Sequence, residues 1–293
     1  VSTVQFGTPL KPSIDFTSGS LMELQFENQP QPAEVRQIFT NFSFNDTDFK
    51  DTDVTTARQL GTETILIRSK FLDDEAKSAV QQQIRDQLGD FTELRFDSVG
   101  PSIGQEVTRA GTYAVLAASI AILVFIMWAF RSVPNPLHFA VAAVVALFHD
   151  ILVTGGLFAV FGILWGWEVD ALFLTAILTV IGYSVHDTIV VFDRIRENLP
   201  RYRQERFETV CNRSLLETLM RSVVTSLSTA FVIASLMVFG GGTITQFVTI
   251  MLIGVVSGTY SSIFTATPIL VSWQQGEFGA LFKRRGAAAK AQA

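Results

Sequence analysis

Three ionisable positions lie inside long apolar stretches of this 293-residue chain: Asp150 with His149 beside it, Asp187 with His186 beside it, and Arg221. Hydrocarbon penalises charged side chains, so ionisable residues at membrane depth mark ion pathways and proton relays. The chemistry open to these residue types is proton transfer. An aspartate beside a guanidinium stays ionised; when the two separate, or water access changes, it takes up a proton and the local charge changes sign. One proton crossing ~100 mV releases about 2.3 kcal/mol, enough to bias a two-state packing of helices. The same residues also fit plainer roles. Asp187 and Arg221 can form a structural ion pair between two helices, and Arg221 lies near enough to an interface to snorkel. Asp150, His149 and His186 are read as secondary relay members or as structural groups. No four-ligand zinc spacing accompanies the histidines, so no metal is expected. Protons are the coupling ion and no cofactor is expected.

The elements that must position these residues follow from hydropathy. From Val1 to Arg109 the sequence is polar, acidic and rich in turn residues; from Ala110 to Trp273 it is dominated by Ala, Val, Ile, Leu and Phe. A soluble domain followed by a membrane domain is the expected order. A bilayer core needs about 20 apolar residues of helix, and five segments qualify: about Thr112–Phe130, Leu137–Ile163, Ala171–Phe192, Leu219–Phe239 and Ile244–Trp273. Arg131 follows the first span. Arg194, Arg196, Arg201, Arg203 and Arg206 follow the third, and Lys283, Arg284 and Arg285 follow the fifth. The intervening "LWGWEVD" and "GGGT" carry no Lys or Arg. The positive-inside rule puts the basic connections and the C-terminus in the cytoplasm and the N-terminal domain outside. A domain delivered outside in this way requires a further span ahead of Val1. With a rise of ~1.5 Å per residue, Asp187 and Arg221 fall within roughly 10 Å of the inner boundary and are expected to meet, whereas Asp150 sits about 20 Å along its helix, nearer the middle.

The soluble part, residues 1–108, alternates strand and helix signals. "SLMELQFE", "FKDTDVTTARQL", "ETILIRSKF" and "FTELRFDSVG" read as strands. "QPAEVRQIFTNF" has helical spacing, and "LDDEAKSAVQQQIRDQLGD" carries start and stop signals. The order βαββαβ predicts a ferredoxin-like α+β domain, with helices on one face. Residues 109–275 are the helical bundle and 276–293 a cytoplasmic tail. The acidic "NDTDFKDTD" lacks the glycine turn and terminal Glu of a calcium loop and is read as a solvated segment. Gly254 and Gly258, four residues apart in "LIGVVSGTYSSIF", have the small-xxx-small spacing that lets helices approach closely.

Composition excludes other classes. The net charge of −5 argues against nucleic-acid binding. Cys211 is the single cysteine, so no intrachain disulfide is available. No nucleophile–base pair or nucleotide loop is recognisable, so an enzyme is not expected.

These motifs resemble a known family. "GYSVHDTIVVFDRIREN" (Gly182–Asn198), "TLMRSVVTS" (Thr218–Ser226), "SIDFTSGS", "HDILVT" and "MLIGVVSGTYSSI" are similar, in order and over nearly the whole chain, to SecF or to the SecF half of a fused SecDF protein. The resemblance implies six spans in all, a pseudo-symmetric pairing with SecD as in resistance-nodulation-division transporters, and association with the SecYEG channel, the translocating preprotein and, as an accessory, YajC. It implies a multi-pass protein of the bacterial cytoplasmic membrane that uses the proton-motive force to complete preprotein export. Asp187 and Arg221 fall on the family's proton-coupling positions; the other essential acid of that relay belongs to SecD. His186 stands where the family commonly has Asn, and Ser18 and Ser222 replace the usual Gly and Thr. Two other readings stand beside this one: a proton-driven exporter of small or lipidic molecules with the same architecture, and a scaffold whose charges serve assembly only.

Overall fold

The computed structural model describes residues 10–276 apart from residues 29, 46, 60 and 61. Residues 12–112 form one compact unit; Leu10, Lys11 and the described residues from 113 onward belong to a second.

In the first unit a short helix α1 (Ile14–Thr17) leads into β1 (Gly19–Phe26), α2 (Pro32–Asn41), a small hairpin of β2 (Ser43–Phe44) and β3 (Thr47–Asp48), then β4 (Asp53–Gln59), β5 (Thr62–Ser69), α3 (Asp74–Leu88) and β6 (Phe91–Val99). The helices begin where local chemistry starts them. Pro32 opens α2 inside a capping box of Gln31 and Glu34. Asp73 caps α3 by accepting from the Ala76 amide at 2.8 Å. The four long strands form an antiparallel sheet in the order β4-β5-β1-β6. With two interleaved helices this is the expected ferredoxin-like arrangement, to which α1 and the hairpin are additions that the sequence did not announce. Alternation along the strands sends Met22, Leu24, Phe26, Ile65 and Ile67 to the face where Val35, Ile38 and Phe39 of α2 and Val80 and Ile84 of α3 are buried.

The entry to β1 is tight. Gly19 has φ +123°, and a Cβ there would lie 2.5 Å from the Ser69 carbonyl oxygen. Ser18 ahead of it holds φ 61° and ψ 169°, a region almost reserved for glycine. In the acidic segment, Lys70 lies 2.6 Å from Asp48 and Lys50 lies 3.6 Å from it. The Lys70 hydrogen bond and charge hold the Asp48 carboxyl below its ordinary range, and the Asp48 hydrogen bond holds the Lys70 ammonium above its own.

Five helices are long and apolar enough to cross a membrane: α4 (Pro101–Ala129), α5 (Pro136–Trp165), α6 (Ala171–Asn198), α7 (Phe207–Phe239) and a composite last span. The last span joins α8 (Gly242–Ser261), a π-helical turn (Ser262–Ala266) and α9 (Thr267–Gln274). Number and order agree with the sequence, but the ends do not. Helix α4 starts at Pro101 rather than near Thr112, so the expected boundary at residue 108 falls inside it. Helix α6 runs to Asn198 rather than Phe192, and α7 begins at Phe207 rather than Leu219. Hydropathy marks only the part of a helix suited to lipid, whereas backbone hydrogen bonding carries the helix on through polar turns. Arg194 and Arg196 are therefore helical, and the Asp193 carboxylate is paired with Arg196 at 2.6 Å. The basic residues Lys283, Arg284 and Arg285 lie outside the described residues.

Helix α6 is the centre of the bundle, packed against α5, α7 and α8. Phe192 lies edge-on to Phe130 and Phe139, with ring centroids 6.2 and 5.3 Å away. Helices α4 and α7 expose apolar rows, among them Leu116, Ile120 and Val124, and Val224, Leu227 and Phe231. Those faces suit lipid or a second apolar chain.

Candidate functional site

Helix α6 is fixed at its start by Asp170, whose carboxylate accepts from the Phe173 amide at 2.7 Å. Between about three and five turns on, the helix presents Val180, Ser184, Asp187 and Thr188 to the bundle interior. Gly254 and Gly258 of α8 pass directly over this face: a Cβ on Gly254 would come within 2.0 Å of Val180 Cγ2, and one on Gly258 within 3.1 Å of Ser184 Cα. The small residues bring the last span close enough for its serine hydroxyls, on α8 and on the π-helical turn, to reach carboxylates on α5 and α6.

Two carboxylates are buried there. Asp150 of α5 is 1% exposed. Its Oδ1 accepts from Ser257 Oγ at 2.7 Å and lies 3.1 Å from His149 Nδ1. Its Oδ2 accepts from Ser184 Oγ at 2.5 Å and Ser261 Oγ at 2.6 Å. Three helices thus converge on one acid. Asp187, 7% exposed, accepts from Ser262 Oγ at 2.7 Å. Ser261 and Ser262 are consecutive, so the donors to the two acids are neighbours at the junction between α8 and the π-helical turn. Among the described residues neither aspartate is paired with a lysine or arginine.

The expected meeting of Asp187 with Arg221 is not formed. Antiparallel contacts from Tyr183 to Ser226 (3.2 Å) and from Asn198 to Ser214 (2.9 Å) set the register of α6 against α7. Interpolation puts Asp187 roughly level with Ser222, so Asp187 and Arg221 do share one level along the helices. Azimuth is what separates the two groups. Ser214, Thr218, Ser222 and Ser226 recur every fourth residue and form the buried stripe of α7. Arg221, one position off that stripe, is turned to the exposed face, and no hydrogen bond or ion pair of its side chain is found among the described residues. The guanidinium is therefore not buried, contrary to the expectation. His186 is likewise exposed beside buried Asp187. His149 is 33% exposed and stands between Asp150 and an apolar groove of about 480 Å³ lined by Val153, Leu157, Leu252, Val256 and Tyr260.

Ser257, Ser261 and Ser262 read in the sequence as groups able to hydrogen-bond across helices, and they do so; which acid each one serves, and the Ser214-to-Ser226 stripe, are not among the sequence expectations. The four-residue spacing of the stripe was legible. The pairing of each serine with its acid depends on helix contacts that spacing alone does not fix.

The fold and these buried acids define a multi-pass helical membrane protein with a ferredoxin-like domain and ionisable groups at membrane depth. Residues 79–276 match the family described as protein export membrane protein SecD/SecF, C-terminal, and residues 4–30 match the SecD/SecF GG motif. The chain is 47% identical over 283 residues to the protein translocase subunit SecF of Anaerolinea thermophila, covering 95% of this chain and 89% of that protein. It is 43% identical over 279 residues to SecF of Thermobaculum terrenum, covering 94% and 88%. Crystallised SecDF from Thermus thermophilus, a translocon-associated membrane protein, superposes with a TM-score of 0.73 at 32% identity; the match covers 94% of this chain and 36% of that longer one. This chain belongs to the SecF family of protein translocase subunits.

Proposed function

We propose that the chain couples the proton-motive force to preprotein translocation across the bacterial cytoplasmic membrane, as a partner of SecD or a SecD half beside the SecYEG channel, with YajC as an accessory. Family membership supports the export role over an exporter of small or lipidic molecules. The observation that carries the coupling is Asp187: a carboxylate within a membrane-length helix, nearly enclosed, with one serine hydroxyl and, among the described residues, no cation beside it. An acid so placed is poised to exchange a proton when its surroundings open. In this reading Arg221, the charged residue on an otherwise uncharged stretch of α7, faces SecD. It pairs there with the acid that the family places in SecD, and swings toward Asp187 in another state of the cycle. The ferredoxin-like domain lies outside the membrane, handles the emerging chain, and the C-terminus lies in the cytoplasm.

The test is proton-dependent export by vesicles reconstituted with the complex. Asp187→Asn and Arg221→Met are expected to abolish the stimulation by a proton gradient while SecD still copurifies. Full stimulation by either variant refutes the relay, and loss of SecD from the complex makes the charges assembly contacts instead.

A further inference from the structure

We propose that Asp150 and His149 form a second proton-binding site, coupled to Asp187 through the adjacent serines Ser261 and Ser262. The inference shares Asp187 with the function above but does not require that Asp187 drive export.

The argument starts from charge. Asp150 is the more deeply enclosed of the two acids, and the described residues place no lysine or arginine within ion-pair distance of it. A lone carboxylate in so dry a place is strongly disfavoured unless its charge is compensated. The one ionisable neighbour at contact distance is His149, 3.1 Å away, which is neutral or cationic according to a proton of its own. The pair is electrically neutral in two forms, carboxylate with imidazolium or carboxylic acid with imidazole. Each form holds one proton shared by the unit. That makes the pair a proton site, whereas an aspartate salt-bridged to arginine would be a fixed charge.

The surroundings give the proton somewhere to go. His149 is partly exposed on the apolar groove and its ring stacks on Tyr260 at 6.3 Å. Thr154, one turn along α5 from Asp150, and Ser222, at the level of Asp187, each hold a fully buried hydroxyl with no hydrogen-bond partner among the described residues. Between the two acids run Ser184, which donates to Asp150 one turn before Asp187 on α6, and the Ser261–Ser262 step of the last span. An ionised carboxylate only accepts, whereas a protonated one also donates. Protonating either acid therefore changes what its serine must do, and the neighbouring serine is displaced with it. The titratable groups facing Asp150 are His149 from its own helix, Asp187 from α6 and Tyr260 from α8; the π-helical turn and α9 bring none. The hydroxyl oxygens lie 2.5–2.7 Å from the carboxylate oxygens, which is hydrogen-bond contact and favours a proton over a metal cation.

The test is infrared difference spectroscopy of the whole chain in lipid bilayers, titrated with acid. Wild type is expected to show two carboxylic acid bands, of which Asp150→Asn removes one and Asp187→Asn the other. Each single variant should shift the midpoint of the surviving band, as two sites that titrate as a pair require. Ser261→Ala with Ser262→Ala should abolish that shift and leave both bands. His149→Asn, which removes the titratable ring from the pair, should also move the Asp150 midpoint. An unchanged spectrum in Asp150→Asn overturns the proposal, as does an Asp150 midpoint indifferent to either His149→Asn or Asp187→Asn. A midpoint that follows sodium concentration overturns it in favour of a cation. If Asp187→Asn removes no band but still moves the Asp150 midpoint, the relay of the proposed function fails and the coupled second site stands.

Discussion

Gly254→Ala adds one methyl group at the closest approach of α8 to α6, and its effect can be worked from the geometry. The new Cβ would lie 2.0, 2.6 and 2.9 Å from Cγ2, Cγ1 and Cβ of Val180. All three atoms belong to one branched, rotamer-restricted side chain, so Val180 cannot turn away and the helices must part. Overpacking of this kind costs about 1–3 kcal/mol, here at the upper end; alanine returns about 1 kcal/mol of helix propensity. The net loss is about 2 kcal/mol, or roughly a 30-fold rise in the unfolded fraction. The single cysteine reports it directly: Cys211 is 1% exposed, so its rate of alkylation in bilayers or mild detergent follows opening of the bundle. The expected result is labelling about 30-fold faster in Gly254→Ala. Val180→Ala should be destabilising alone, yet in combination the two should be less harmful than their sum by about 1–2 kcal/mol, since the second change removes the atoms that the first one strikes. Unchanged labelling in Gly254→Ala, or strict additivity in the double variant, would refute the close approach.

Three further outcomes are expected. Ser18→Gly should relieve a backbone strain of about 1–3 kcal/mol against a glycine entropy cost of about 0.5–1 kcal/mol; exchange of the β1 and β5 amides should slow several-fold, and faster exchange would contradict the strained turn. Asp170→Ala removes the N-cap of α6 at a cost of about 1 kcal/mol, read as roughly five-fold faster labelling of Cys211. Lys70→Met should flatten the acid limb of the first unit's stability. The Asp48 carboxyl is held low when folded, so its contribution is present above the ordinary aspartate range and lost as pH falls through the folded value. Both groups face solvent, so the change in a denaturation series should be small, and a large one would contradict a solvent-screened pair.

Much of this molecule could be read from its residues because strong local signals govern it. Five apolar runs gave five membrane-length helices, and βαββαβ punctuation gave a ferredoxin-like sheet. Asp150 and Asp187 stood out because carboxylates in hydrocarbon need a reason. The failures are of one kind. Rise per residue placed Asp187 and Arg221 at one depth, but depth is a single coordinate. The turn of α7, set by the Ser214-to-Ser226 stripe, sends Arg221 elsewhere. Helix ends were misplaced because Ser102–Arg109 and Phe207–Thr218 are polar yet continue the hydrogen-bonded ladder. Ser257, Ser261 and Ser262 are legible as hydrogen-bonding groups between helices, but the acid each one serves depends on how the last span lies on α5 and α6.

The π-helical turn from Ser262 to Ala266 divides the last span into two rods on a common pivot. A wide turn of this sort holds one residue more than the α-helical pitch needs, and such turns recur at functional sites. Passing that surplus along the rod would swivel Ser262 off Asp187 without breaking the chain's backbone ladder. The strand of polypeptide that clasps the acids carries its own slack, and motion at one end of the span has a ready way to be felt at the other.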